Sequence, residues 1–481
     1  MNLINKIKNY NKLPEPVKAS LWYTICSVLQ KGVALLATPI FTRLMTQEQY
    51  GEYSVFLSWY NILIIFATLN MYMGAYEKGL LLYEKDEKGF TSSMLGLCTV
   101  LTTVILALYL VAIDFWTQAL GISPLLMGAM FLWLYATPAL HFWAARERFS
   151  YHYKKYVIVT LATTVFSVLV GIVAVKTMQY KVEARAFSDV FVKSAFYIFF
   201  YVLLMTQGKR FFHKDYWKYG ILFNIPLIPH YMSTFILNQA DRIMIDKMVG
   251  SGPAAIYSIA YTISTMMLLI TNAINNSLVP YVYKAINGGT HKKVAKATQP
   301  LFLLVGVLCI ITMCFAPEVI FVFAGPEYAE AIWVIPPIAA SVYFIFVYSA
   351  FSTVGYYYQR TTNIALASCI SAVANIILNF IFIKLFGYYA AGYTTLVCYM
   401  LLSLVHYLLY KKVLREELDN TKAIHDLRAI VMVGILVMVV MLIMLLTYKW
   451  FLVRYSLVLI ATVVAVIKRR QLTAMLGALK K

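Results

Sequence analysis

The sequence predicts an all-α integral membrane protein of about 14 transmembrane helices, with two six-helix bundles in a parallel repeat plus two C-terminal helices. Three observations lead to this prediction. First, the 481 residues are 61% hydrophobic and only 13% charged, whereas soluble domains carry about 25% charged residues. Second, the apolar residues come in runs of about twenty, the length that crosses about 30 Å of hydrocarbon. Third, Lys and Arg fall mostly in alternate loops, and a short segment of the first half recurs in the second.

Fourteen apolar runs predict the spanning helices. They lie at 19–44, 52–76, 91–113, 119–143, 156–175, 186–206, 220–240, 254–280, 299–324, 331–356, 362–383, 388–410, 429–448 and 450–467. Only a short turn separates the last two runs, so a twelve-helix core with two appended helices is the natural subdivision, and twelve is the alternative count. The predicted divisions are a first six-helix bundle at 1–206, a cytoplasmic linker at 207–219, a second bundle at 220–410, and a linker with two further helices at 411–481.

The distribution of basic residues predicts the orientation. With a cytoplasmic N-terminus, 30 of the 41 Lys and Arg residues lie on the cytoplasmic side, nine on the other side and two inside spans. Such a bias is the positive-inside pattern of an even number of helices with both termini in the cytoplasm. It also explains the formal charge of +20 without a nucleic-acid partner. The six cysteines lie inside apolar runs without metal-type spacing, so neither a disulfide nor a metal or other cofactor is expected.

Two segments half a chain apart indicate the repeat. In each, an arginine at the outer end of a span is followed eight residues later by glycine and then by a Tyr-Ser pair; these residues are Arg43, Gly51, Tyr53 and Ser54, and Arg242, Gly250, Tyr257 and Ser258. The first arginine ends the first span and the second ends the seventh, so the two copies have the same orientation. The alternative is an accidental match, because a basic residue at a helix end followed by a turn glycine is common.

Lys31 lies near the middle of the first predicted span. A charge facing lipid at that depth costs about 2.5 to 3.5 kcal/mol on the insertion scale. The functional interpretation is a cation that lines a water-filled cavity. The structural interpretation is a lysine that pairs with another helix or is neutral because its pKa is lowered.

Charged residues also recur in the sixth predicted span, where Arg185, Asp189 and Lys193 are spaced four apart and share one face of a helix. They can therefore pair with one another. Because two cations accompany one carboxylate, the face keeps a net positive charge. A substrate contact and a purely structural ion ladder are both left open by this spacing.

The seventh predicted span carries a polar stripe on one face. The stripe contains His230, Thr234, Asn238 and then Asp241 or Arg242. Pro226 and Pro229 are expected to bend this helix, because each removes a backbone donor and clashes with the preceding turn.

These features give two sets of candidate residues. The candidate substrate-binding residues, as cavity cations and polar groups, are Lys31, Arg43, Lys193, His230, Asn238 and Arg242. The candidates for ion coupling are Glu77, Asp189 and Asp241. For several of them a plainer role is open: Arg43 and Arg242 as anchors at the outer interface, Asp241 as a partner of Arg242, and Glu77 as an interface residue.

Several segments resemble a known family. Residues 41–51, 225–230, 240–245 and 256–258 look like the Wzx-type flippases for O-antigen and other polysaccharide repeat units, within the multidrug, oligosaccharidyl-lipid and polysaccharide (MATE-like) exporter superfamily. The resemblance covers essentially the whole chain in length, helix number and repeat. It implies two six-helix bundles in a V around a central cavity. It also implies transport of undecaprenyl-diphosphate-linked oligosaccharide across the bacterial cytoplasmic (inner) membrane. The implied partners are this lipid-linked oligosaccharide, membrane lipids and the polysaccharide polymerase machinery.

Three other functions are weighed against this one. A MATE-like drug or cation antiporter is disfavoured, because such relatives are expected to carry an acidic residue in the first helix, where this chain has Lys31. A lipid II flippase would need the same cationic cavity and is left open. A membrane polymerase or ligase is disfavoured, because the outer connections are short and contain no paired carboxylates, nucleophile elbow, phosphate-cradling glycine motif or metal-ligand cluster. The chain is therefore not expected to be an enzyme.

Overall fold

The computed structural model describes residues 15–72, 75–417, 424–456 and 458–459. These residues contain no strand and include nineteen α-helices joined by short turns, 3-10 segments and one π segment. In chain order the helices are α1 (Glu15–Leu44), α2 (Gln47–Thr68), α3 (Ala75–Leu82), α4 (Glu87–Val111), α5 (Ile113–Leu120), α6 (Pro124–Phe149), α7 (Tyr153–Thr177), α8 (Lys181–Gly208), α9 (Lys214–Asn224), α10 (Ile228–Phe235), α11 (Asp241–Met248), α12 (Ser251–Thr265), α13 (Leu268–Asn287), α14 (His291–Cys314), α15 (Ala316–Phe323), α16 (Ile335–Tyr357), α17 (Thr361–Phe386), α18 (Tyr389–Glu417) and α19 (Leu427–Thr447).

Twelve segments of the described chain are long and apolar enough to span a membrane. The predicted all-α membrane fold is therefore confirmed, whereas the exact number of fourteen spans is not. Two predicted spans are missing from the twelve. One is 52–76, where Glu52 and Asn61 lower the hydropathy of α2. The other is 450–467, most of which lies outside the described residues.

The second predicted span also ends earlier than expected. Leu69 and Asn70 both adopt a left-handed backbone with a φ of 49°, which non-glycine residues rarely do. The backbone N–H of Asn70 donates to the Thr68 hydroxyl over 3.1 Å, so the Thr68 side chain forms a hydrogen bond at the C-terminal end of the helix. At its start, Thr46 and Gln49 form a reciprocal capping box, which satisfies amides that the first turn leaves unpaired.

The seventh predicted span is interrupted where the prolines predict a bend. α9 is followed by a 3-10 turn at Ile225–Leu227, then by α10, by a π segment at Ile236–Ala240, and by α11. Pro226 lies in the 3-10 turn and Pro229 in the first turn of α10. Proline cannot donate an amide to the preceding turn, which accounts for the change of helix type at this point.

The chain divides into two compact units, unit 1 (Met1–Phe235) and unit 2 (Ile236–Lys481). In unit 1 the most buried spanning helix is α6, which packs on α8, while α7 packs on both α1 and α8. In unit 2 the most buried spanning helix is α16, which packs on α18, while α17 also packs on α18. The same order of packing in both units agrees with a parallel repeat. The predicted bundle boundaries at 206 and 220 stay a prediction.

The last of the twelve segments, α19, is anchored by a buried histidine. The Tyr410 hydroxyl accepts the backbone amides of Ile424 and His425 over 2.9 and 3.2 Å. Burial lowers the pKa of His425 to about 4, so the ring is neutral at pH 7. Its Nε2 lies 3.2 Å from the Ala350 carbonyl oxygen, which can only accept, so Nε2 carries the proton. Asp426 then caps the first turn of α19.

Candidate functional site

Unit 1 contains a buried charge cluster around Asp189 of α8. The Asp189 side chain is 3% exposed, with Arg185 Nη1 at 3.1 Å and Lys193 Nζ at 3.4 Å from its carboxylate oxygens. The hydroxyls of Tyr53 and Ser167 donate to the same carboxylate. Two cations and two neutral donors thus surround one carboxylate, so its charge is compensated and the cluster keeps a net positive charge.

Aromatic rings hold both cations of the Asp189 cluster. The Arg185 guanidinium lies 4.1 Å from the centre of the Phe41 ring, and Lys193 Nζ lies 4.4 Å from the centre of the Trp133 ring. Such cation–π contacts stabilise a charge that has little water around it. The Arg185 side chain is 10% exposed and that of Lys193 is 23% exposed. Lys193 is therefore the cation of this cluster that is more accessible to a ligand.

Unit 2 contains a buried aspartate, Asp241, at the start of α11. It accepts hydrogen bonds from the Tyr257 hydroxyl, from Thr395 Oγ1 at 2.9 Å and from Asn379 Nδ2 at 2.5 Å. Thr394 in turn donates to the Asn379 side-chain oxygen. Among the described residues, only neutral groups donate hydrogen bonds to this carboxylate, and the adjacent Arg242 forms no ion pair with it. This differs from Asp189, which two cations approach directly.

The two carboxylates relate the sequence repeat to the structure. Tyr53 and Tyr257, which occupy matching positions in the repeated segment, each donate to a buried aspartate of their own unit. The aspartate comes from the sixth predicted span in unit 1 and from the end of the seventh in unit 2. The repeat therefore preserves the tyrosine and the carboxylate it binds, but not the helix that supplies the carboxylate.

The two arginines of the repeat differ in their surroundings. Arg242 is 8% exposed, with Nε at 3.1 Å from the Ser258 hydroxyl and Nη1 at 3.1 Å from the Asn238 carbonyl oxygen. It also bonds to Gln239 and lies over the Tyr261 ring. Arg43 is exposed, and its Nη1 bonds to the Pro39 carbonyl oxygen one turn back over 3.0 Å. Arg242 is thus fixed within unit 2, whereas Arg43 is open to solvent or headgroups.

Lys31 is exposed on α1 and forms no hydrogen bond or ion pair with another described residue. It lies on a stripe of polar residues with helical spacing: Ser20, Thr24, Ser27, Lys31, Thr38 and Thr42. A separate exposed stripe of the same helix is apolar and consists of Leu21, Ile25, Leu29, Leu36 and Ile40. Since a lipid-facing surface of a spanning helix is apolar, the second stripe has the composition expected against lipid. The stripe that contains Lys31 is polar and does not have the composition expected against lipid.

The remaining candidates are Asn238, which lies beside Arg242, and His230 and Glu77. Asn238 accepts hydrogen bonds from Tyr261 and Tyr399 at 2.7 and 3.1 Å, so its side-chain oxygen is occupied within unit 2. His230 is half-buried, with a buried Nδ1 that has no hydrogen-bond partner among the described residues. Glu77 is half-buried on α3 and forms no ion pair with a described residue. Their predicted roles in substrate binding and ion coupling stay predictions, as do those of Asp189 and Asp241.

Sequence reasoning missed the neutral donors that satisfy the two carboxylates. These are Tyr53 and Ser167 for Asp189, and Tyr257, Asn379 and Thr395 for Asp241. Of these donors, only the two tyrosines belong to the repeated segment, and their repetition was the one sequence signal that they have a structural role. Among the described residues, no three His, Cys, Asp or Glu side chains lie close enough together to hold a metal ion.

Comparison with known proteins identifies a family and several relatives of this chain. Residues 17–286 match a family model described as polysaccharide biosynthesis protein. A curated relative from Haemophilus influenzae, "Lsg locus putative protein 1", is 23% identical over 374 residues, which cover 74% of this chain and 88% of the relative. A second one from the same organism, an uncharacterized membrane protein, is 21% identical over 380 residues, with the same coverage of both chains.

Two solved structures share the fold at 14% sequence identity. One is the lipid II flippase MurJ in an inward closed conformation, with a TM-score of 0.68 over 94% of this chain and 99% of that one. The other is a multidrug resistance MATE family transporter of the MOP superfamily, with a TM-score of 0.59 over 84% and 100% of the two chains. The family model therefore confirms the predicted kinship with a polysaccharide family, and the two structures confirm the MATE-like fold. The matched family and the shared fold agree with the prediction of a transporter rather than an enzyme.

Proposed function

The chain belongs to the polysaccharide biosynthesis protein family, and from this premise we propose that it flips undecaprenyl-diphosphate-linked oligosaccharide repeat units across the bacterial cytoplasmic membrane. Transport by alternating access would deliver these units for surface polysaccharide synthesis, such as O-antigen or capsule. In this proposal both termini lie in the cytoplasm, in agreement with the predicted orientation. The partners are the lipid-linked oligosaccharide, membrane lipids and the polymerase machinery that consumes the flipped unit.

The observation that supports the proposal most directly is the position of Lys31. It is an exposed cation at mid-helix, on a polar stripe that differs from the apolar exposed stripe of the same helix. A polyprenyl diphosphate carries negative charge through an apolar barrier, so its path needs fixed cations and hydrogen-bond donors. In this proposal Lys31 contacts the diphosphate inside a water-filled path.

The other candidate cations support this role to different degrees. Lys193 is partly exposed at the edge of the net positive Asp189 cluster, so it is the second cation assigned to the diphosphate. Arg43 is exposed near the predicted outer end of α1, where it would meet the headgroup as it leaves. Arg242 donates a hydrogen bond to the Asn238 carbonyl oxygen, and the Asn238 side chain accepts one from Tyr261. We therefore assign Arg242 and Asn238 a structural role in lining the path.

The proposed function is tested by following lipid-linked sugars in host cells depleted of this protein. We expect undecaprenyl-diphosphate-linked oligosaccharide to accumulate in the inner leaflet and surface polysaccharide to disappear, while peptidoglycan synthesis continues. The likeness to MurJ makes lipid II the competing substrate. Accumulation of lipid II with cell lysis would therefore replace the proposed substrate, and loss of drug resistance alone would indicate the antiporter.

A further inference from the structure

Helix α13, at the end of the spanning segment Ser251–Asn287, presents two amide side chains on its exposed face. Asn272 and Asn276 are both exposed and are one turn apart, so they share a face. Neither forms a hydrogen bond with another residue of the chain as described. Asn272 lies twelve residues and Asn276 eight residues before Lys284, or about 18 and 12 Å along the helix. Both residues lie within this candidate spanning segment.

A neighbouring face of α13 packs within unit 2. Asn275 Nδ2 donates to the Ser349 hydroxyl of α16 over 3.1 Å, and Thr271 is buried. The exposure of Asn272 and Asn276 therefore follows from how α13 is anchored.

Another helix of the same unit shows what a lipid-facing surface of this protein looks like. The large side chains exposed along the middle of α17 are all apolar and include Leu366, Ile370, Val373, Ile377 and Phe380. Two unsatisfied amides that face lipid would be strongly unfavourable, because hydrocarbon offers them no hydrogen bonds. The part of the exposed surface that contains the two amides therefore favours a polar ligand, whereas the exposed Ile270 and Tyr281 lie on another part of the same helix.

The chemistry of the two amides indicates which part of a lipid-linked oligosaccharide they suit. Each carboxamide offers two N–H donors and one acceptor oxygen, which match sugar hydroxyls that both donate and accept. A diphosphate only accepts, so it would use half of this capacity. We propose that Asn272 and Asn276 bind the saccharide of the transported lipid and help select the repeat unit, an inference that rests on the proposed function.

The inference is tested with two lipids in proteoliposomes of the full-length protein. One is the undecaprenyl-diphosphate-linked oligosaccharide that accumulates in depleted host cells, and the other is the same lipid trimmed to its first sugar. We expect the Asn272→Leu/Asn276→Leu double variant to flip the complete lipid about tenfold more slowly, because hydrogen bonds to the glycan are lost. Flipping of the trimmed lipid should be unchanged.

Three matched variants separate binding from folding. Asn287→Leu, on the exposed end of the same helix, should behave like the wild type. Asn275→Leu should lower the yield of folded protein, because it removes the contact with Ser349. The pair Asn272→Ala/Asn276→Ala removes the amides without adding bulk and should reproduce the effect of the leucine pair.

Each other outcome overturns the inference. The asparagines have no role in sugar selection if both double variants flip the complete lipid at the wild-type rate. The same conclusion follows if both lipids are flipped equally slowly, or if both double variants lose folded protein. If the wild-type protein flips neither lipid, the proposed function itself fails, which is distinguishable from failure of this inference alone.

Discussion

Asp189→Leu is expected to reduce the amount of folded protein more than any other single change in unit 1. It removes the counter-charge of Arg185 and Lys193, which lie 3.1 and 3.4 Å away with side chains that are 10% and 23% exposed. Removing one partner of a buried ion pair costs about 3 to 5 kcal/mol, because the other charge stays buried without compensation. The thermal unfolding midpoint in detergent and the monodisperse fraction after size exclusion both measure the loss.

Two further variants make this prediction specific. Asp114→Ala removes a carboxylate that is exposed on α5, and it should leave the unfolding midpoint unchanged. Asp189→Leu combined with Arg185→Met and Lys193→Met removes the whole charge cluster, and it should recover much of the lost stability, since apolar replacements of buried ion clusters are often neutral or better. An unchanged midpoint in Asp189→Leu would show that the cluster does not hold unit 1 together.

Lys31→Ala is expected to abolish polysaccharide export while the protein accumulates at its normal level. The side chain is exposed and forms no hydrogen bond or ion pair with a described residue, so its removal should disturb the packing little. Hydrogen bonds to charged groups contribute about 1.5 to 3 kcal/mol, which corresponds to a roughly 10- to 150-fold loss in the flipping rate of the lipid-linked oligosaccharide. Rates in proteoliposomes and surface polysaccharide in complemented cells give the two measurements.

Two control variants test whether the charge of Lys31 and its position are both required. Lys31→Arg keeps the cation and should retain most of the rate, whereas Lys176→Ala removes an exposed lysine from the end of α7 and should have no effect. Normal export in Lys31→Ala would remove this lysine from the path. Loss of folded protein in the same variant would assign it a structural role instead.

The sequence predicted the features that depend on composition and local spacing. Runs of apolar residues gave the membrane fold, and the four-residue spacing of Arg185, Asp189 and Lys193 gave an ion cluster on one helix. The early end of α2 was not predicted, because it depends on the left-handed backbone of Leu69 and Asn70. Hydropathy does not report such a change.

The partners of the buried carboxylates could not be predicted, because they are far away in the sequence. Tyr53 lies 136 residues before Asp189, and Thr395 lies 154 residues after Asp241. The polar stripe of the seventh span indicated that Asn238 and Arg242 share a face, but not that tyrosines and a serine of unit 2 occupy them. Which neighbours meet a helix face depends on tertiary packing, which one sequence does not reveal.

The most direct test of the proposed path is chemical replacement of the Lys31 charge. Lys31→Cys should be inactive in proteoliposomes, and 2-aminoethyl methanethiosulfonate added in water should restore flipping by returning an ammonium group to position 31. The sulfonate reagent of similar size should react without restoring it. The Lys31 protein treated in the same way controls for the six native cysteines. If position 31 does not react from water, or if both reagents have the same effect, a cationic aqueous path for the diphosphate is contradicted.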